Sequence, residues 1–88
     1  MSYEIALTAT AQRALRTLPD KAAVAIVEFM FGALADNPHR VGKALRFELE
    51  GRHSARRAEY RIIYRIDDTQ HLVTIDVIAH RSDTYRRR

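Results

Sequence analysis

Between His53 and Asp68 the chain reads HSARRAEYRIIYRIDD, a run in which arginines recur through a strand-like pattern. Side chains alternate across a strand, so Tyr60, Ile62, Tyr64 and Ile66 share one face, and Arg61, Ile63 and Arg65 the other. The first set reads as core and the second as a basic surface. Guanidinium groups held on a rigid sheet meet phosphate or carboxylate through paired hydrogen bonds, and their charge is permanent. The chemistry open to them is stabilisation of negative charge. The plainer reading is that Arg61 and Arg65 are solvated charges on the open face of an antiparallel sheet.

The distribution of charge favours a binding surface. Residues 1–39 hold three basic side chains against four acidic, a formal −1, whereas residues 40–88 hold twelve against seven, a formal +5. All of the excess positive charge therefore lies in the second half. Of the fifteen basic residues thirteen are Arg, the side chain that grips phosphate bidentately and stacks on bases. A pI near 10.0 points to an acidic partner: nucleic acid, an anionic membrane or an acidic protein.

Other chemistries find little support. There is no cysteine, which excludes a disulfide framework and a cysteine-based zinc site. Gly-rich phosphate loops, HExxH spacing and a Ser/His/Asp constellation are missing, and the acidic residues do not cluster as a two-metal nuclease requires. No metal and no cofactor are expected. The stretch MSYEIALT lacks a basic segment followed by a long apolar core, and no apolar run approaches the roughly 20 residues that span a bilayer. A cytoplasmic protein with no membrane association is expected.

The elements that must position these residues fit one small domain covering residues 1–88. Tyr3 to Leu7 reads as a strand, with Thr8 or Thr10 capping a helix that runs to Leu18. A second helix starts near Asp20 behind Pro19 and runs towards Ala35, where Asn37-Pro38 stops it. Its stripe Ala23, Ile26, Val27, Met30, Phe31 and Leu34 predicts a core-facing side, with Leu15 and Leu18 as contacts. Ala44 to Leu49 alternates Leu45, Phe47 and Leu49 against Arg46 and Glu48, which predicts a strand. His53–Arg57, Glu59–Asp67 and Leu72–Ala79 read as three more, with a turn at Asp68-Thr69-Gln70. The order β-α-α-β-β-β predicts an α+β domain: an N-terminal strand and a two-helix hairpin on a curved antiparallel sheet.

That order, the run NPHRVGKALRFELEG, the strand YRIIYRIDD and the closing AHRSDTY together resemble the RelE/ParE superfamily of bacterial toxins, RelE-like members above all. The resemblance covers nearly the whole chain. It implies the toxin of a type II toxin–antitoxin pair: a ribosome-dependent mRNA interferase that cleaves messenger RNA in the ribosomal A site and is neutralised by an acidic, partly disordered, RelB-like antitoxin. Operator DNA would be met only through the antitoxin complex. Such cleavage uses the RNA's own 2′-hydroxyl as nucleophile, so no metal is called for. What remains is to activate that hydroxyl, stabilise the phosphorane and protonate the leaving oxygen.

Carried over by position, the resemblance implies that Arg61 and Arg81 face the scissile phosphate and that Tyr85 stacks on a base or moves a proton. The chain departs from the family where its best-known members carry two lysines, on the strand before YRIIY. Here stand Arg52, His53, Ser54 and Arg56. Arginine is a poor general base, so His80 is a candidate for acid or base work, and Arg52, Arg56, Arg65 and His53 are candidates for RNA contact. The competing functions are a ParE-like inhibitor of DNA gyrase and a module that binds ribosome or antitoxin without chemistry.

Overall fold

The computed structural model describes residues 2–84. Strand β1 (Glu4–Leu7) feeds helix α1 (Ala9–Thr17), and Thr8 is the cap, its Oγ1 accepting from the Ala11 N–H at 3.1 Å. One of the donors left over at the helix start is thereby satisfied. Pro19 precedes α2 (Asp20–Phe29), which continues through a wider π-turn at Met30–Leu34. Pro38 then opens the one-turn helix α3 (Pro38–Val41), as a ring with fixed φ and no N–H suits a first helical turn.

Only part of the expected second strand forms. β2 is Lys43–Ala44, and the Leu45 N–H bond to the Arg52 carbonyl is the last rung before the chain turns. Leu49 and Glu50 donate back to Arg46 and Phe47, winding Phe47–Leu49 into a 3-10 turn. Phe47 takes a positive φ of 62° and is 88% exposed, so the alternation Leu45, Phe47, Leu49 does not mark a buried strand face. β3 (Arg52–Arg57), β4 (Tyr60–Asp67) and β5 (Leu72–His80) follow as expected.

These strands make one five-stranded sheet in the order β1-β5-β4-β3-β2. Every neighbouring pair is antiparallel except β1 and β5, which run parallel, so the sheet is mixed rather than wholly antiparallel. The two helices carry the chain from β1 at one edge to β2 at the other, and the hairpins return it alongside β1 pointing the same way. Ala55, Ile62, Tyr64, Val73, Ile75 and Ile78 of one sheet face pack with Ile26, Met30 and Leu34 of the second helix and with Ala11 of α1. Val27 and Phe31, expected in that core, face outward with Val24, Phe31 being 61% exposed. Among the stripe residues, burial follows the four-residue step of Ile26, Met30 and Leu34, with Ala35 beside them, a narrower stripe than the apolar pattern allowed.

Two features shape the other face. The register of β5 slips between Ile63 and Tyr64 of its partner, leaving Asp76 as the extra residue of a bulge. Tyr64 sits at that slip, fully buried, and its hydroxyl donates to the Pro38 carbonyl at 2.7 Å. Burial pushes its phenol up to about 12. Replacing Tyr64 by Phe leaves a buried carbonyl without its donor, a loss of about 1–3 kcal/mol. Denaturant unfolding of Tyr64→Phe measures it, and a midpoint equal to wild type would show that the bond does not hold α3.

Candidate functional site

Directly opposed residues on neighbouring strands point to the same face, so the register sorts the candidates. Arg52 lies opposite Arg65, which in turn faces Thr74; Ser54 lies opposite Ile63, which faces Val77; and Arg56 lies opposite Arg61, which faces Ala79. All of these belong to the face away from the helices. His53 lies opposite Tyr64, and His80 opposite Tyr60, on the core side. The structure thus brings Arg52, Arg56, Arg61 and Arg65 onto one surface and turns His53 and His80 away from it.

That surface has two unlike halves. At one end the bulged Asp76 accepts from Arg65 Nε (2.8 Å) and Nη2 (2.9 Å) and from Arg52 Nε (3.1 Å). Burial raises the Asp76 pKa, but the hydrogen bonds from Arg65 and Arg52 outweigh it and hold the carboxyl below its ordinary value. Arg52 and Arg65, candidates for RNA contact, are thereby committed to an internal arginine–aspartate–arginine bridge. With no carboxylate between them, two arginines placed directly across strands would repel.

At the other end Arg56 and Arg61 face each other beside Ala79, and they line a groove of about 630 Å³ with Arg40, Gly42, Lys43 and Ser54. Arg81 opens the short helix α4 (Arg81–Thr84), its N–H donating to the Glu59 carbonyl at 2.7 Å and its Nε lying 3.3 Å from Glu59 Oε1. Glu59 belongs to the β3–β4 turn, so Arg81 is tied to the same end of the sheet as Arg56 and Arg61. Tyr85 lies outside the described residues.

The histidines occupy other surroundings. His80 packs edge-on to Tyr60, ring centroids 5.3 Å apart, and its Nδ1 accepts from the Ser82 N–H at 3.2 Å. A backbone N–H can only donate, so the neutral ring carries its proton on Nε2. Neither its face nor its tautomer suits it as a base acting beside Arg61. His53 stacks on Tyr64 at 5.6 Å and meets His39 edge-on at 5.8 Å. Burial first, and the nearby His39 second, lower its pKa below the ordinary 6.5. It is a packing residue rather than part of the arginine surface. Nearby, Asp68 accepts from Tyr3 Oη at 2.6 Å and lies 3.0 Å from His39 Nε2, tying β1, α3 and the β4–β5 turn together. Tyr3 and then His39 hold its carboxyl below the ordinary range. Among the described residues no group of histidine and carboxylate side chains is placed to hold a metal, and no helix is long and apolar enough to cross a membrane.

The model of the family described as "ParE toxin of type II toxin-antitoxin system, parDE" matches residues 5–85. The chain belongs to the RelE/ParE family of type II toxins. It is 60% identical over 84 residues to Toxin RelE of Mycobacterium tuberculosis, covering 96% of this chain and 87% of that protein. Toxin RelG of the same organism is 52% identical over 87 residues, 99% of this chain and the whole of the relative. The crystal structure of the toxin–antitoxin complex RelBE2 from Mycobacterium tuberculosis superposes with a TM-score of 0.88 at 49% identity, over 91% of this chain and 99% of that one.

Sequence reasoning passed over two cations of the toxin's groove, Arg40 and Lys43. Lys43 pairs directly with Ser54, which puts it on the arginine face. Its place in the run NPHRVGKALRFELEG was the available signal; which strand it would pair with was not.

Two outcomes test this geometry. Asp76, only 16% exposed, answers two cations, so Asp76→Ala should lower the unfolding free energy by about 1.5–3 kcal/mol, the range of hydrogen bonds to charged groups. Urea unfolding reads it, and an unchanged midpoint contradicts the bridge. For His53 the folded pKa lies below the unfolded one, so its contribution is present above 6.5 and is lost as pH falls through the folded value. From about pH 7 to about pH 5 the melting temperature should therefore fall more for wild type than for His53→Phe, which keeps the ring and removes the titration. Parallel curves would refute the assignment.

Proposed function

We propose that this toxin is a ribosome-dependent endoribonuclease that cuts messenger RNA in the ribosomal A site, and that a cognate RelB-like antitoxin neutralises it. The observation that carries the reading is the pair Arg56 and Arg61, directly opposed on one face at the groove, with Arg81 held at the same end of the sheet by Glu59. Two opposed guanidinium groups favour an anion close to both, and a phosphodiester fits that demand. The 60% identity to a protein named Toxin RelE favours the same chemistry.

In this reading the RNA 2′-hydroxyl gives its proton to water and attacks the adjacent phosphorus, the P–O5′ bond breaks to leave a 2′,3′-cyclic phosphate and a 5′-hydroxyl, and Arg61 and Arg81 stabilise the charge gathered on the phosphorane oxygens. Arginine stays protonated throughout, so these groups supply charge rather than relay protons. Tyr85 is proposed to stack on a codon base or to protonate the leaving oxygen. The chain's own contribution is thus placement of fixed charge, and preorganised charge of this kind accounts for much of the acceleration in many enzymes. The antitoxin reading is supported by the exposed stripe Val24, Val27 and Phe31 and by the basic groove, which an acidic segment that folds on binding would cover together.

Primer extension on a defined messenger RNA, with and without programmed ribosomes, is the test. Cuts within A-site codons only in the presence of ribosomes are expected, and Arg61→Ala and Arg81→Ala should each slow cleavage by about 10²–10³-fold. Intact RNA from a protein that still arrests growth through gyrase-dependent DNA breaks would overturn the reading.

A further inference from the structure

The groove has two walls. One is the β3–β4 ladder with Ser54, Arg56 and Arg61; the other is the junction between α3 and β2, which contributes Arg40, Gly42 and Lys43. Lys43 stands directly opposite Ser54, and Arg56 lies two residues further along β3. On a sheet that makes Lys43 and Arg56 diagonal neighbours, rooted roughly 7–8 Å apart at the backbone, against about 5 Å for the directly opposed Arg56 and Arg61. The cationic side chains are therefore rooted at successive positions along the groove rather than at one. The described residues lining it carry four cationic side chains, Arg40, Lys43, Arg56 and Arg61, and no acidic one.

The second wall is held at close range by the backbone itself. A Cβ on Gly42 would collide with the Tyr64 hydroxyl and stand 2.8 Å from the Ser54 carbonyl oxygen, so only glycine lets the junction lie this near the sheet. Tyr64 anchors the same junction from beneath through the Pro38 carbonyl. Four residues from Arg40 to Lys43 are thus pressed against β3 while presenting two cations, an arrangement that an anionic ligand in the groove would stabilise.

We propose that Arg40 and Lys43 form a second phosphate subsite beside Arg56 and Arg61, so that the groove grips two consecutive phosphodiesters of a single-stranded RNA. This rests on the RNA-cleaving reading above and names the extent of substrate that the site recognises. The Arg56–Arg61 pair takes the reacting phosphate, and the Arg40–Lys43 wall takes its neighbour and fixes the strand's register across the cut.

The test is equilibrium binding of the full-length toxin to oligouridylates carrying one or two phosphodiesters, over a series of salt concentrations. Wild type should gain affinity from the second phosphodiester, and that gain should vanish in Arg40→Ala and in Lys43→Ala, while Lys43→Arg restores it. On longer oligouridylate each alanine variant should flatten the slope of log affinity against log salt by about 0.7, the counterion release of one contact to a single strand. Lys21→Ala, on α2, should match wild type. Unchanged slopes and an unchanged second-phosphate gain in both alanine variants overturn the subsite, as does a wild type that binds no oligouridylate. Variants that bind RNA like wild type but release the antitoxin more readily would assign the wall to the antitoxin instead. The two readings fail separately: tight binding that depends on Lys43, without ribosome-dependent cuts, refutes the cleavage reading alone; cuts that ignore Arg40 and Lys43 refute the subsite alone.

Discussion

The hydroxyl of Tyr64 is the point on which the two halves of this molecule meet. It is buried at the centre of the sheet, beside the slip in register between β4 and β5, and it reaches out to the carbonyl that begins α3. Beside that bond, the α3–β2 junction rests on the sheet through Val41, through His39 against His53 and Asp68, and through the β2–β3 pairings. Gly42 is the complement: a side chain there would push the junction off the hydroxyl and off Ser54. The position of one wall of the groove thus depends on a buried hydrogen bond from the sheet and on the absence of a side chain at Gly42.

Charge on the open face is divided between an internal bridge and an open groove. Where the β5 bulge supplies Asp76, two arginines become structural, and their carboxylate is drawn below its usual range by them. A bulge adds one residue and re-aims its neighbours, so it both delivers this acid to the basic face and returns Ile78 to the core. Where β5 supplies Ala79 instead, Arg56 and Arg61 stand opposed at the groove. One sheet face therefore holds two unlike arrangements of charge without a boundary visible in the chain.

A domain of this size buries a limited core, and the toxin leaves part of its apolar surface outside it. Val24, Val27 and Phe31 form an exposed line on the second helix, on the side turned from the sheet. In the proposed reading this is where a partner finishes the burial that 88 residues leave incomplete. The salt bridge of Arg81 to Glu59, with both side chains more than half exposed, contributes little to stability; its value is in direction, since it keeps a cation at the end of the sheet where the groove lies.

Much of the architecture was legible in the residues themselves. Period-two alternation in YRIIYRI correctly separates Ile62 and Tyr64 from Arg61 and Arg65, because a pleated strand has no other way to place them. Thr8, Pro19 and Asn37-Pro38 mark helix limits through local hydrogen bonding and fixed φ, and those act within a few residues. Pairing is different in kind. That β1 runs parallel to β5, that Ser54 meets Lys43, that His53 and His80 face away from Arg61, and that Asp76 interrupts a ladder are all relations between distant strands. A slip of one residue in register exchanges the faces of a strand at no cost visible in composition. Residue types and their alternation were thus determined by the chain alone. Which charges stand together was decided only when the strands chose their partners.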